Sequence, residues 1–132
     1  MATTHVELVT PERNLFSGEA EMVTCRTAGG DIAFLADHMP YLAVLEPCVV
    51  TITTEGTETE RFAAHGGFVE VHDNRVTILA DVAERASDID LARAQRAKEE
   101  AERAASSGDA DAEAALARAD ARLEAADSAA AH

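Results

Sequence analysis

Hydrophobic positions along this chain change their period once, and that change divides it. From His5 to Val9 (HVELV) apolar and polar residues alternate with the period of a half-buried strand, and Thr10-Pro11-Glu12 ends the run. Leu15-Phe16-Ser17-Gly18 reads as a turn into Glu19–Thr27 (EAEMVTCRT). There Ala20, Met22 or Val23, and Cys25 predict a strand with a register irregularity. Ala28-Gly29-Gly30-Asp31 predicts a tight turn, Ile32–Leu35 a short strand, Ala36–Pro40 an irregular run and Tyr41–Leu45 a further extended segment. Cys48–Thr54 (CVVTITT) is rich in β-branched residues that suit a pleated surface, and Glu55-Gly56 leads on to Glu58–Ala63 as a hairpin. Phe68–Val71 and Val76–Leu79 predict another hairpin around Asp73-Asn74, two residues that tolerate the positive φ of a two-residue turn.

Short strands at this spacing, with six of the seven glycines before residue 68, predict an antiparallel β-sandwich or barrel. After Ala86 the period becomes helical: of the last 46 residues 18 are alanine, one is glycine and none is proline. Ser87-Asp88-Ile89-Asp90 starts a helix, with Ser87 or Asp88 as N-cap, that runs to about Ala105 before Ser106-Ser107-Gly108-Asp109 breaks it. A second helix is expected from about Asp111 to Asp127, and the short connection makes the two antiparallel neighbours. The expected fold is α+β, with an antiparallel β-sandwich over residues 1–86 followed by an antiparallel two-helix hairpin over 87–132.

The seams of that hairpin are short of bulk. The second helix carries Ala112, Leu116, Ala119, Leu123 and Ala126 as a heptad stripe; the first offers Ala94, Ala97, Ala101 and Ala104, with Ile89 and Leu91 near its start. Alanine favours the helix itself but buries little area, so the helices should be firm and their docking loose. A movable element requires those properties, and a solvated, frayed tail is the alternative.

Composition narrows the class further. No run of about 18 apolar residues exists, so no membrane span is expected. MATTHVELVTPERN has no basic region followed by an apolar one, so no signal peptide is expected either. Cys25 and Cys48, in apolar strands without CxxC spacing, read as reduced core residues, with a disulfide between them as the alternative. Net charge is −14, and residues 1–86 and 87–132 are both acidic, so neither half offers the basic face that nucleic acid or anionic lipid needs.

Candidate chemistry is sparse. His65-Gly66-Gly67 looks like an oxyanion loop, but there is no G-x-S-x-G, and glycines that start a strand explain it better. The histidines (His5, His38, His65, His72, His132) show no metal-ligand spacing, and neither standard phosphate loop occurs. Arg93, Arg118 and Arg122 could converge on an anion if the helices fold back. From spacing alone, pairing with Glu84, Asp90 and Asp120 is the better reading.

A set of ordered markers adds to this. Leu15-Phe16-Ser17-Gly18-Glu19-Ala20, Gly30-Asp31-Ile32, His38-Met39-Pro40-Tyr41-Leu42, Gly66-Gly67-Phe68-Val69-Glu70-Val71, Asn74–Asp81 and Ile89-Asp90-Leu91-Ala92-Arg93-Ala94 follow one another. In order and spacing the chain resembles, over nearly its whole length, the epsilon subunit of F-type ATP synthases (delta in mitochondrial naming). The resemblance implies a non-catalytic central-stalk subunit. Its sandwich would bridge the gamma subunit and the c-ring, and its helices would extend along gamma to restrain hydrolysis, touching alpha and beta, or fold back. It would be peripheral, on the cytoplasmic face of the cell membrane, associated with the membrane only through the complex.

The resemblance also implies positions. Gly29, Gly30 and Asp31 would face the c-ring, and His38, Met39, Pro40, Tyr41 and Leu42 would lie near gamma. Glu84, Ile89, Asp90, Arg93, Ala94, Arg118 and Arg122 would correspond to a regulatory ATP site. Glu100 stands where ATP-binding members carry a basic residue, so ATP affinity is expected to be low or absent, and no metal or resident cofactor is expected. Where members carry glycines, Ala33-Phe34-Leu35-Ala36-Asp37 is expected to take a different backbone course, since alanine and aspartate tolerate positive φ less well. The alternative function is a free-standing β-sandwich binding module with an oligomerising tail. An enzyme in its own right has no supporting residues.

Overall fold

The computed structural model describes residues 2–108 and 110–130; Asp109 at the expected helix break and His132 lie outside them. Eight strands come first: β1 (Thr4–Val9), β2 (Asn14–Ala20), β3 (Met22–Thr27), β4 (Gly30–Leu35), β5 (Tyr41–Val44), β6 (Cys48–Thr53), β7 (Thr59–His72) and β8 (Arg75–Arg85). Two helices follow, α1 (Leu91–Ser106) and α2 (Ala110–Ala130). The strands join in the order β2-β1-β8-β7-β6-β3-β4, with β5 also on β7. Strands from both ends of that order supply one buried cluster, including Val6 and Leu8 from β1 and Val23 and Phe34 from β3 and β4. The sheet therefore folds over on itself as a sandwich.

The architecture turns on β7. Glu58–Ala63 and Phe68–Val71, expected as separate strands, form one strand that passes through Gly66 and Gly67 at φ 75° and 106°. Pairing with β8 keeps one register across them, His65 opposite Val82 and Gly67 opposite Ala80. A Cβ on Gly67 would lie 1.9 Å from the Leu79 carbonyl oxygen, so only glycine lets the strands stay paired there. β5 and β6 follow the other side of β7 with a single offset, Tyr41 opposite Val71 and Cys48 opposite Ala64. The Leu45 N–H donates to the Gly67 carbonyl at 2.9 Å between them. The short break between β5 and β6 thus faces the glycine pair.

Other expectations need correction. Leu15–Gly18 is not a turn: it lies inside β2, with Leu8 opposite Phe16 and Val6 opposite Gly18. Cross-strand pairing overrides the turn preference of Ser17 and Gly18. The single strand expected over Glu19–Thr27 is divided at Glu21: Glu19 and Ala20 end β2, and β3 begins at Met22. The sandwich has one parallel pair, β1 beside β8, which local pattern could not reveal because the partners are some seventy residues apart. Asp37 itself adopts positive φ (60°), and its N–H donates to Asn74 Oδ1 at 2.7 Å. Asp73 and Asn74 take the positive φ expected of their turn (50° and 56°).

Cys25 and Cys48 are buried and unbridged. Burial first, then the neighbouring Cys48 thiol, pushes the Cys25 thiol up to about 12, which keeps it protonated near neutral pH.

Neither expected N-cap holds. Ala86–Asp88 forms a single 3₁₀ turn, Ile89 is extended, and Asp90 is the cap, accepting from the Arg93 N–H at 3.0 Å. On the seam Ala94, Ala101, Ala112, Ala119 and Ala126 are buried, whereas Leu116 and Leu123 are half-buried and Ala97 is exposed. α2 is the helix that lies on β6 and β7, and α1 packs on α2. Ala125, outside the expected stripe, joins Ala63, Ala86, Val49 and Ile89 at this contact.

Candidate functional site

Where β8 hands over to the tail, a cleft of about 250 Å³ opens, lined by Glu84, Asp88, Ile89, Asp90, Arg93, Ala94, Ala97 and Arg122. The chain reversal explains its composition. β8 brings Glu84, the 3₁₀ turn and cap bring Asp88 to Asp90, the first turns of α1 bring Arg93 to Ala97, and α2 returns to supply Arg122. Six of the seven positions implied for a regulatory site meet here. The exception is Arg118, which is exposed and outside the lining. Glu100 is also absent from the lining. Asp88 and Ala97 were missed by the sequence reading; Ala97, four residues after Arg93 on one helix face, was the available signal.

Two of the cleft's charges are committed to each other. Arg122 Nε donates to Glu84 Oε1 at 2.5 Å, with both side chains about one-third exposed. Three carboxylates (Glu84, Asp88, Asp90) face two guanidinium groups (Arg93, Arg122), and the Asp90 carboxylate is taken by the helix cap. Arg122 pairs with Glu84, as spacing alone suggested, whereas Asp90 is engaged by the Arg93 backbone N–H and Asp120 is taken by a lysine. Nearby, Lys98 on α1 pairs with Asp120 on α2 at 3.1 Å.

Beneath the Arg122–Glu84 pair lies His65 of β7, 5 % exposed. Its Nε2 comes within 3.4 Å of Glu84 Oε1. That approach falls short of a hydrogen bond: neither ring nitrogen has a hydrogen-bond partner among the described residues. Burial, then the positive charge of Arg122, holds its pKa below 6.5, with Glu84 acting the other way and Arg118 adding to the depression.

The positions implied for partner contact lie at the β3–β4 turn and on the run into β5, and Thr27 links the two, its Oγ1 accepting from the Gly29 N–H and meeting the Tyr41 hydroxyl. Ala28 and Gly29 make the β3–β4 turn and Gly30 opens β4, next to which Asp31 pairs with Arg26 at 2.8 Å. His38 packs edge-on to Phe34 at 4.9 Å between ring centroids and holds the Met39 carbonyl through Nδ1 at 2.7 Å. The Tyr41 hydroxyl meets Thr27 Oγ1 at 3.3 Å, while Met39, Pro40 and Leu42 are exposed. Leu42 belongs to a surface the sequence reading did not assemble. Val44, Phe68 and Leu79 stand opposite one another across β5, β7 and β8, each about half exposed, with Leu42 beside them at 69 %. The signal was present in Phe68-Val69 and Ile78-Leu79, where adjacent apolar residues make both faces of a strand apolar.

Among the described residues no cluster of His, Cys, Asp or Glu is arranged to hold a metal, and no helix is long and apolar enough to cross a membrane.

Known proteins share this arrangement. The family model of the ATP synthase delta/epsilon chain β-sandwich domain matches residues 3–86, and that of its long α-helix domain matches residues 87–127. The ATP synthase epsilon chain of Streptomyces avermitilis is 49% identical over 108 residues, covering 82% of this chain and 85% of that one. That of Desulforudis audaxviator is 48% identical over 108 residues, covering 82% and 78%. Among solved structures, a chain of the Euglena gracilis mitochondrial ATP synthase (OSCP/F1/c-ring) superposes with a TM-score of 0.76 at 26% identity, covering 100% of this chain and 83% of that one. With a β-sandwich, a helical hairpin and sequence likeness that spans both, the chain belongs to the ATP synthase delta/epsilon family, among its bacterial epsilon chains.

Proposed function

We propose that this chain is a non-catalytic, proton-driven ATP synthase rotor component in which the sandwich (residues 1–86) is the fixed contact and the helices (87–132) are a lever. The sandwich joins the gamma subunit and the c-ring, so that rotation reaches the catalytic head. The lever folds back, or extends along gamma to alpha and beta and restrains hydrolysis. The chain sits on the cytoplasmic face of the cell membrane through the complex.

Family membership supports this reading, and one observation carries it furthest: a well-packed sandwich keeps Leu42, Val44, Phe68 and Leu79 exposed on adjacent strands. An apolar surface of this kind marks an interaction site. We assign it to gamma, with Met39 at its rim, and the Gly29–Asp31 turn to the c-ring. Purification of the tagged chain from its cells tests this. Alpha, beta and gamma should copurify, and Phe68→Asp should lose them while melting like the native protein. Recovery of a homo-oligomer alone would instead favour a free-standing module.

The cleft binds ATP weakly or not at all on this reading. Its carboxylates outnumber its guanidinium groups, and opening Arg122 to a triphosphate costs its pair with Glu84. Titration of the isolated chain with ATP should show no saturable binding up to millimolar concentration. Arg93-dependent saturation below that would overturn the expectation.

A further inference from the structure

We infer that His65 is a proton-operated latch beneath the helical lever, neutral while the helices are docked and protonated when they leave. This rests on the lever reading and adds a signal that moves the lever.

The placement of His65 needs explaining, because an imidazole 5 % exposed with neither nitrogen hydrogen-bonded among the described residues costs stability in the docked state. It lies on β7 at the contact between sandwich and lever. The charged groups acting on it are Glu84 from the adjacent β8, and Arg122 and Arg118 from α2. Glu84 Oε1 is the shared atom: Arg122 Nε reaches it at 2.5 Å, His65 Nε2 stands 3.4 Å away. With the lever docked, Glu84 is engaged by Arg122, and a proton on His65 would sit buried beside a guanidinium. With the lever gone, both arginines and the cover of α2 leave together. His65 can then take a proton, hydrate, and pair with the freed Glu84.

The sign follows from linkage. His65 is depressed below 6.5 in the docked state and returns towards that value when α2 departs, so undocking takes up a proton. Docking is then favoured most at the alkaline end of the range and weakens as pH falls, by at most tenfold per unit for one proton. A fall in pH on the side of the membrane that holds this chain would release the lever. Neither a simple core histidine nor a surface ion pair has that property.

Hydrogen exchange of α2 in the full chain, corrected for the intrinsic pH dependence of exchange, tests the latch between pH 5.5 and 8. The open fraction of the native chain should rise several-fold on acidification, and His65→Gln should flatten the dependence while sandwich amides keep their protection. His65→Ser serves if the glutamine disturbs β7. The His65 resonances provide a second measurement: their titration midpoint should lie below 6.5 and move up in Arg122→Gln. An unchanged pH dependence in both His65 variants, or a midpoint indifferent to Arg122, overturns the latch alone. Exchange of α2 only through global unfolding removes the lever reading, and the latch with it.

Discussion

The two halves of this molecule are stabilised by different residues. The sandwich buries Phe34, Phe62, Leu8, Leu45, Ile52 and Ile78 to within 1 % of full burial. Among described residues, every fully buried hydrophobic position on the two helices is alanine: Ala94, Ala101, Ala112, Ala119, Ala121, Ala125 and Ala126. At about 25 cal/mol per Å² a buried phenylalanine contributes several times what a methyl group does. Helix propensity hides this difference, because alanine forms the helix best while anchoring it least. The sandwich is held by bulky buried side chains, whereas the hairpin is held by helix propensity and a thin methyl seam.

The comparison breaks most visibly at Phe62. It is fully buried in the sandwich core and carries the Arg85 guanidinium 4.9 Å above its ring. Phe62→Ala should cost about 3–5 kcal/mol. The expected result in urea denaturation is a large loss of midpoint, with the helices released because β7 is their platform. A loss under 1 kcal/mol would mean that the sandwich is no better packed than the tail. Gly67→Ala should follow at about 2–3 kcal/mol, because the substitution combines positive φ with contact on the Leu79 carbonyl. Its signature is loss of exchange protection on both β7 and β8.

Much of this division was legible beforehand. Alternation at His5–Val9, the β-branched run of β6 and the Asp73-Asn74 turn place strands correctly, and the alanine composition after Ala86 marks the change to helix. What was not legible depends on partners distant in sequence. Leu15–Gly18 looks like a turn until β1 pairs with it, and Gly66-Gly67 looks like the start of a strand until β8 pairs alongside through it. At the candidate cleft, helix spacing and family likeness point to Arg93 and Arg122. His65 was weighed in the sequence only as part of an oxyanion loop and as a metal ligand, and its meaning comes only from α2 lying over it.

Smaller changes sharpen the comparison by acting on the contact between the halves. Ala125 is fully buried against Ala63, Ala86, Val49 and Ile89, where no room for a larger side chain is needed in a methyl-lined seam. Ala125→Leu should therefore overpack it and weaken docking by about 1–3 kcal/mol. α2 would remain helical by circular dichroism, while its amides open independently of the sandwich. If the sandwich melts earlier by the same amount, the halves are one cooperative unit and the distinction fails.

The smallest effect is expected at Arg122. Its pair with Glu84 is about one-third exposed on each side, so water can take over either charge when its partner is lost. The interaction is then worth about 1 kcal/mol or less, near a fivefold change in opening. Arg122→Ala should raise the open fraction of α2 at pH 8 by that factor and leave the sandwich midpoint unmoved. Glu84→Ala should do the same, and the double variant should be no more open than either single one, because both remove a single contact. Additive effects would place Arg122 and Glu84 in separate interactions and detach the lever from β8. Either single substitution lowering the sandwich midpoint would be more damaging, since a surface pair would then be holding the half that its large apolar core should hold unaided.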